Sequence, residues 1–284
     1  MSNPPESAAN QPEPAASVHS ASPMVPNPAH SEGDAALQAL QQTVAAVTPA
    51  RLLVGRVGES YRTQTLLQLR ADHAAATDAV HAPLALSESW LREYKFLVVQ
   101  SRAEDRRRYL LRPDLGRQLS AESQSILRES GHLECDVQLI AGDGLSATAV
   151  QNQLPTLFPM VWNQLRDQGL RLGRPILVQH CRVGILNAIG EILRPKVAVL
   201  FIGERPGLAT AESLSAYLAY SPQPGHTDAN RNLISNIHDR GVPVADAAPR
   251  ILALIRAMLA QRISGPAIKE SLPGILPPYS ESPE

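Results

Sequence analysis

VAVLFIGERPGL, residues 197–208, runs on after a short gap into SLSAYLAY, residues 213–220. Six consecutive apolar residues rich in β-branched types, ended by Gly203, read as a short strand buried on both faces, as found inside a parallel sheet. Glu204 and Arg205 then sit just past the carboxyl end of that strand, before a helix expected to begin near Ser213. Open α/β sheets hold their ligands at that edge.

Downstream of Glu134 the pattern alternates between strands and helices. Strands are expected at 136–141, 175–179, 197–202 and, more weakly, 233–237, with helical stretches at 146–168 and 184–193. Pro155 and Pro159 predict that the first of these helices is broken or kinked. In the last helix Ile251, Leu254, Ile255, Met258 and Leu259 share an apolar face, and Gly265 is expected to end it. Such alternation implies a mostly parallel, Rossmann-like sheet flanked by helices, assigned to a domain over residues 133–284.

Residues 46–132 read as a mainly helical domain. Leu66, Leu69, His73, Ala76 and Val80 fall on one helical stripe, which places His73 on or near a packed face, as a packing residue rather than a catalyst. A second helix is expected at 120–128, with Ser120 as N-cap and Glu122 in the first turn, where the helix dipole favours negative charge. Residues 95–100 read as an extended apolar segment. Arg106, Arg107 and Arg108 read as a solvated loop or as a partner-facing patch. Residues 1–45 form a tail dense in Pro, Ala and Ser; its first 33 residues lack Lys and Arg and are expected to be disordered. Leu37, Leu40, Val44 and Val47 recur at helical spacing, consistent with a frayed helix at a domain edge or with a docking or encapsulation peptide.

Composition narrows the function classes. With 284 residues, 44% of them hydrophobic, the chain can bury a substantial core. Its 26 Lys and Arg against 27 Asp and Glu leave no basic excess for nucleic acid. Cys135 and Cys181 lack metal or disulfide spacing and read as buried thiols in a reducing, cytoplasmic setting. No apolar run reaches the roughly 18–20 residues that span a bilayer, and no export signal is read.

GDGLS, residues 142–146, follows a strand and opens a helix. Its backbone N–H groups and Ser146 suit either a phosphate-like ligand or a tight turn with no ligand. Dinucleotide, P-loop and nucleophile-elbow fingerprints are absent. His180 beside Cys181, and His238, are too isolated for a metal or Cys/His assignment. No catalytic residue and no metal ligand is assigned to this chain.

GERPGL (203–208), SLSAY (213–217) and ISNIH (234–238) resemble the small, or light, subunit of ethanolamine ammonia-lyase. Similar phrases are RTQTLLQLRADHAAATDAV (62–80), RPDLG (112–116), DVQLIAGDGLSAT (136–148), Arg182-Val183 and IGEI (189–192), all in the family's order over residues 48–265.

The resemblance implies a subunit of an adenosylcobalamin-dependent enzyme that converts ethanolamine to acetaldehyde and ammonia by a radical mechanism. In that family the large subunit, a barrel, carries the substrate pocket, and the small subunit closes over the cobalamin. Heterodimers pair and then trimerise, and enclosure in a bacterial microcompartment is compatible with this. The D-x-H-x-x-G cobalt-ligand pattern is missing, which implies base-on binding with no protein side chain on the metal. The family's cobalamin contacts carry over to Val183, Glu204 and Leu233; relatives have Cys at the last position. Glu204 also suits the role chemically, because corrin primary amides are donors and a carboxylate at the ligand edge accepts. A Glu204–Arg205 or helix-cap salt bridge is the competing reading of that residue. A free-standing α/β enzyme and a ligand-free structural adaptor are the alternative classes.

Overall fold

Alternate residues of Val197–Gly203 enter two different hydrophobic cores, and the rest of the chain is arranged around that division. The computed structural model describes residues 28–48, 50–207 and 210–268. In chain order the elements are α1 (Pro28–Val47), β1 (Arg56–Val57), β2 (Ser60–Tyr61), α2 (Thr63–His81), α3 (Glu88–Glu93), β3 (Leu97–Gln100), α4 (Arg106–Leu111), α5 (Ala121–Ser130), β4 (Val137–Gly142), α6 (Ala147–Asp167), β5 (Ile176–Gln179), α7 (Ile185–Leu193), β6 (Val197–Gly203), β7 (Leu214–Tyr220), β8 (Asn232–Ile237) and α8 (Val244–Gln261). Among the described residues no helix is long and apolar enough to cross a membrane.

By contact the chain divides into one unit up to Leu53 and another from Val54 onward. The first contains α1. It opens on Pro28, whose fixed φ suits a first helical turn, so helix replaces the disorder expected over the last residues before 33; residues 1–27 of the expected disordered tail lie outside the described residues.

The second unit holds a six-stranded sheet in the order β3-β5-β4-β6-β7-β8. The first four strands are parallel; β6–β7 and β7–β8 are antiparallel. Val197, Val199 and Phe201 of β6 join a core with α6 and α8, whereas Ala198, Leu200 and Ile202 join one that includes α7 and Leu127 of α5. Burial on both faces is what a continuous apolar run requires. The apolar segment at 95–100 supplies β3, an edge strand of this same sheet.

Several local expectations change. Residues 214–220 are strand β7, not the helix expected from Ser213. Leu214, Ala216 and Leu218 alternate into the α6/α8 core, so the period is two, and the whole segment pairs with β6. The arginines at 106–108 open helix α4, capped by the Asp105 carboxylate, which accepts from Arg108 N at 2.7 Å. His73 is exposed on α2, whose one fully buried residue is Ala79. Helix α6 runs unbroken through Pro155 and Pro159. Each proline there costs roughly 3 kcal/mol, but Leu154, Leu157, Phe158 and Val161 are fully buried beside them and contribute roughly 1.5–3 kcal/mol each. Helix α8 ends at Gln261, with Arg262 in the left-handed conformation (φ 59°) as its cap, three residues before the Gly265 expected to end it. Ser120 caps α5 as expected, accepting from Ser123 N at 3.1 Å.

Phe201 is fully buried and meets Phe158 edge-on at 6.5 Å. Phe201→Ala should therefore lower unfolding free energy by about 3–5 kcal/mol in urea denaturation, and a loss below ~1 kcal/mol would show that the sheet and α6 do not share a core.

Candidate functional site at the carboxyl edge of the sheet

Helix α6, which follows β4, covers one face of the sheet, while α7, which follows the adjacent β5, covers the other. The carboxyl ends of β4 and β5 therefore form the switch point where open sheets commonly hold ligands. Here the protein's own groups occupy the end of that crevice and leave a smaller cavity, of about 250 Å³, over Arg106, Asp143 and His180. Asp143 is buried and accepts from His180 N at 3.0 Å and Cys181 N at 2.9 Å, while Arg106 reaches it at 3.4 Å and donates to the Gly144 carbonyl at 2.7 Å. Burial raises the Asp143 pKa; the Cys181 and His180 amides and Arg106 oppose that rise. Gly144 has φ +58°, and a side chain there would meet the Gly203 backbone. Ser146 caps α6, accepting from Ala149 N at 3.1 Å and donating to the Ala211 carbonyl at 2.6 Å. The GDGLS segment is thus a tight turn whose polar side chains are used internally.

The remaining isolated groups are also structural. His180 (φ 55°) places Nδ1 2.9 Å from the Ala103 carbonyl, and His238 places Nε2 2.7 Å from Asn236 Oδ1. Both cysteines are buried free thiols. Burial raises the Cys135 pKa to about 11 and pushes Cys181 well above the ordinary thiol range.

The open space lies beside this plug. A cavity of about 650 Å³ is lined by residues including Arg182, Val183, Asn187, Tyr217, His226 and Arg231. Tyr217 links the three positions singled out in the sequence. It shares the cavity wall with Val183; its hydroxyl donates to Glu204 Oε1 at 3.1 Å; and Leu233 is its register partner across β7–β8. Leu233 is 46% exposed. Directly opposed residues project from the same side of a sheet, so Leu233 extends the face that Tyr217 presents. Burial, then the Glu204 charge, raise the Tyr217 phenol pKa, so its proton stays on to donate. Glu204 is half-buried and Arg205 exposed. No Glu204–Arg205 ion pair forms; Tyr217 takes that place.

Polar atoms in the cavity wall are incompletely satisfied. Arg231 leaves only 6% of its side chain exposed; it donates to Asn187 Oδ1 at 3.0 Å and pairs with the exposed Asp228. Its Nε, Arg182 Nε and His226 Nδ1 are buried without a hydrogen-bond partner. Native proteins rarely leave such atoms unpaired without reason. The unpaired Arg182, His226 and Arg231 nitrogens lie just beneath this wall, and Glu204, bonded to the wall's Tyr217, adds an acceptor next to it.

A family profile described as ethanolamine ammonia-lyase light chain (EutC) matches residues 38–269. The chain belongs to that family. It is 43% identical over 220 residues to the ethanolamine ammonia-lyase small subunit of Clostridium acetobutylicum, covering 78% of this chain and 90% of the relative. The subunit of the same name from Fusobacterium nucleatum subsp. nucleatum is 42% identical over 222 residues, 78% of this chain and 75% of the relative. That from Listeria monocytogenes serovar 1/2a is 40% identical over 246 residues, 87% and 81% of the two chains.

Within this light-chain fold, reading 213–220 as helix hid Tyr217, because only a strand period turns it away from Ala216 and Leu218 toward Glu204. Arg231, Asn187 and His226 carried no spacing signal, since helix α7 and the connection between β7 and β8 bring them together.

The two carboxylates at this edge should respond differently to substitution. Asp143→Ala leaves Arg106 part-buried and unpaired and should cost about 3–5 kcal/mol; Glu204→Gln keeps an acceptor for Tyr217 and should cost less than ~1 kcal/mol. Urea denaturation of both variants checks this, and equal losses would contradict it.

Proposed function

We propose that this chain is the small subunit of adenosylcobalamin-dependent ethanolamine ammonia-lyase, a carbon–nitrogen lyase that yields acetaldehyde and ammonia. The observation that carries the reading is that Tyr217 shares a cavity wall with Val183, bonds Glu204 and opposes Leu233, in a chain of that family. Bound cobalamin would supply the radical chemistry. This chain's part is to hold one side of it: Glu204 accepts from a corrin amide, Tyr217 fixes the Glu204 carboxylate, Arg231 and Asn187 offer donors, and Val183 and Leu233 supply apolar contact. Substrate is held in the large subunit, so no catalytic group is required here.

The same reading gives the chain a partner, the large subunit, in heterodimers that pair and then trimerise. Val54, Val57, Tyr61, Leu66 and Leu67 are exposed between residues 54 and 67. Clustered exposed apolar side chains are the usual mark of a protein contact. Cytoplasmic location, free or inside a bacterial microcompartment, goes with this function, and residues 133–284 would be the cobalamin-contacting part.

Co-expression with the large subunit and a cobalamin titration of ethanolamine turnover test the proposal. Glu204→Gln loses a charge-assisted bond of about 1.5–3 kcal/mol, so cobalamin affinity should fall roughly ten- to a hundredfold, with the maximal rate nearly retained at saturation. Unchanged affinity with a collapsed maximal rate would remove Glu204 from cofactor binding.

Tyr217→Phe probes the same contact from behind. Removing the hydroxyl frees Glu204 without changing its charge, so cobalamin affinity should drop by a factor of about 3–10, corresponding to one neutral-donor hydrogen bond. An effect as large as that of Glu204→Gln would mean that Tyr217 itself touches the cofactor.

A further inference from the structure

A second cavity, of about 590 Å³, lies at the opposite, amino edge of the sheet, between α6, the residues that follow α3, and the chain entering β5. Its size is that of a small-molecule site. Aromatic rings form its floor. Trp162 stacks on Phe158 at 5.6 Å, Tyr94 meets Trp162 edge-on at 6.3 Å, and Trp90 joins through Tyr94 at 5.3 Å. Both tryptophans of a chain with 4% aromatic residues therefore belong to this one cluster.

The rim is cationic. Lys95, Arg166 and Arg174 line the cavity, and no carboxylate does. Arg174 Nε donates to the Lys95 carbonyl at 2.7 Å, which fixes two of the three cationic residues relative to each other. Arg166 lies 3.7 Å from Asp167, with both side chains mostly exposed, and an exposed ion pair of that length neutralises little. Positive charge thus borders an aromatic surface, with Glu93 and Asp167 close by but outside the lining, a combination that suits a flat anion better than a neutral or cationic ligand.

We propose that this cavity binds a planar aromatic carboxylate, its ring against Trp162 and Tyr94 and its carboxylate toward Lys95, Arg166 and Arg174. The site is separate from the carboxyl edge and does not depend on the cofactor assigned there.

Calorimetric titration of the full chain with 2-naphthoate, and with the neutral 2-naphthamide of the same shape, tests it. The acid should bind saturably and at least about tenfold more tightly than the amide, as expected for charge-assisted contacts. The double variant Lys95→Gln/Arg166→Gln changes exposed side chains and should melt like the parent; it should weaken the acid by roughly tenfold while leaving the amide unchanged. Trp162→Leu should weaken both ligands. Absence of saturable binding, equal binding of acid and amide, or acid binding indifferent to the double variant would each overturn the proposal.

Discussion

Strand β6 is buried on both faces, so every peptide group along it must find its partner within the sheet. It does so in parallel with β4 on one side and antiparallel with β7 on the other, in register from Val197 to Gly203. The change from parallel to antiparallel sheet therefore happens across this one strand. The ladder continues a step beyond it, where Glu204 N donates to the Ser213 carbonyl at 2.9 Å. That bond holds the Glu204 backbone against the start of β7, and the Glu204 carboxylate meets the hydroxyl that β7 presents at Tyr217. The geometry around Glu204 is in this sense a consequence of how β6 satisfies its backbone.

The neighbouring switch point follows a different course. At the ends of β4 and β5 the crevice contains an internal carboxylate, Asp143, bound by two backbone amides and approached by Arg106. Filling this position ties the GDGLS turn to the His180–Cys181 turn and stiffens the floor from which α6 and α7 depart. It also moves the open volume sideways, to the wall shared by α7, β7 and the chain before β8. A large ligand at this edge would lie across β6 and β7, over the antiparallel half of the sheet, and would leave the β4–β5 crevice undisturbed.

What the sequence disclosed follows from which signals were local. The burial of β6, the Ser120 cap, helix α7 and the final helix each rest on a few consecutive residues, and each formed. Strand β7 did not announce itself, because Ala216 and Ala219 favour helix and Ser213 resembles an N-cap; only pairing with β6 made the period-two reading decisive. The prolines of α6 do not break it, because a backbone penalty is local while the compensating burial of Leu157, Phe158 and Val161 is tertiary. Arg106 read as part of a solvated loop or a partner-facing patch, yet a carboxylate 37 positions later takes it into the interior. Glu204 was legible because its position after a buried strand is a topological fact; its donor on β7 was not.

The two carboxylates of this edge differ in what they leave unspent. An ionised carboxylate has about four acceptor directions. Asp143, almost fully buried, uses its capacity on the His180 and Cys181 amides and on Arg106, and any ligand would first have to break the turn that these bonds close. Glu204 receives a side-chain hydrogen bond from Tyr217, which lines the cavity, and remains half-buried. Arg231 is its counterpart, a guanidinium almost wholly removed from water whose carboxylate partner among the described residues, Asp228, is 89% exposed. A charge so desolvated gains most from a partner that excludes the remaining water. Both signs of charge line the cleft, so a simple anion there would meet Glu191 and Asp228, and a simple cation would meet Arg117, Arg182 and Arg231.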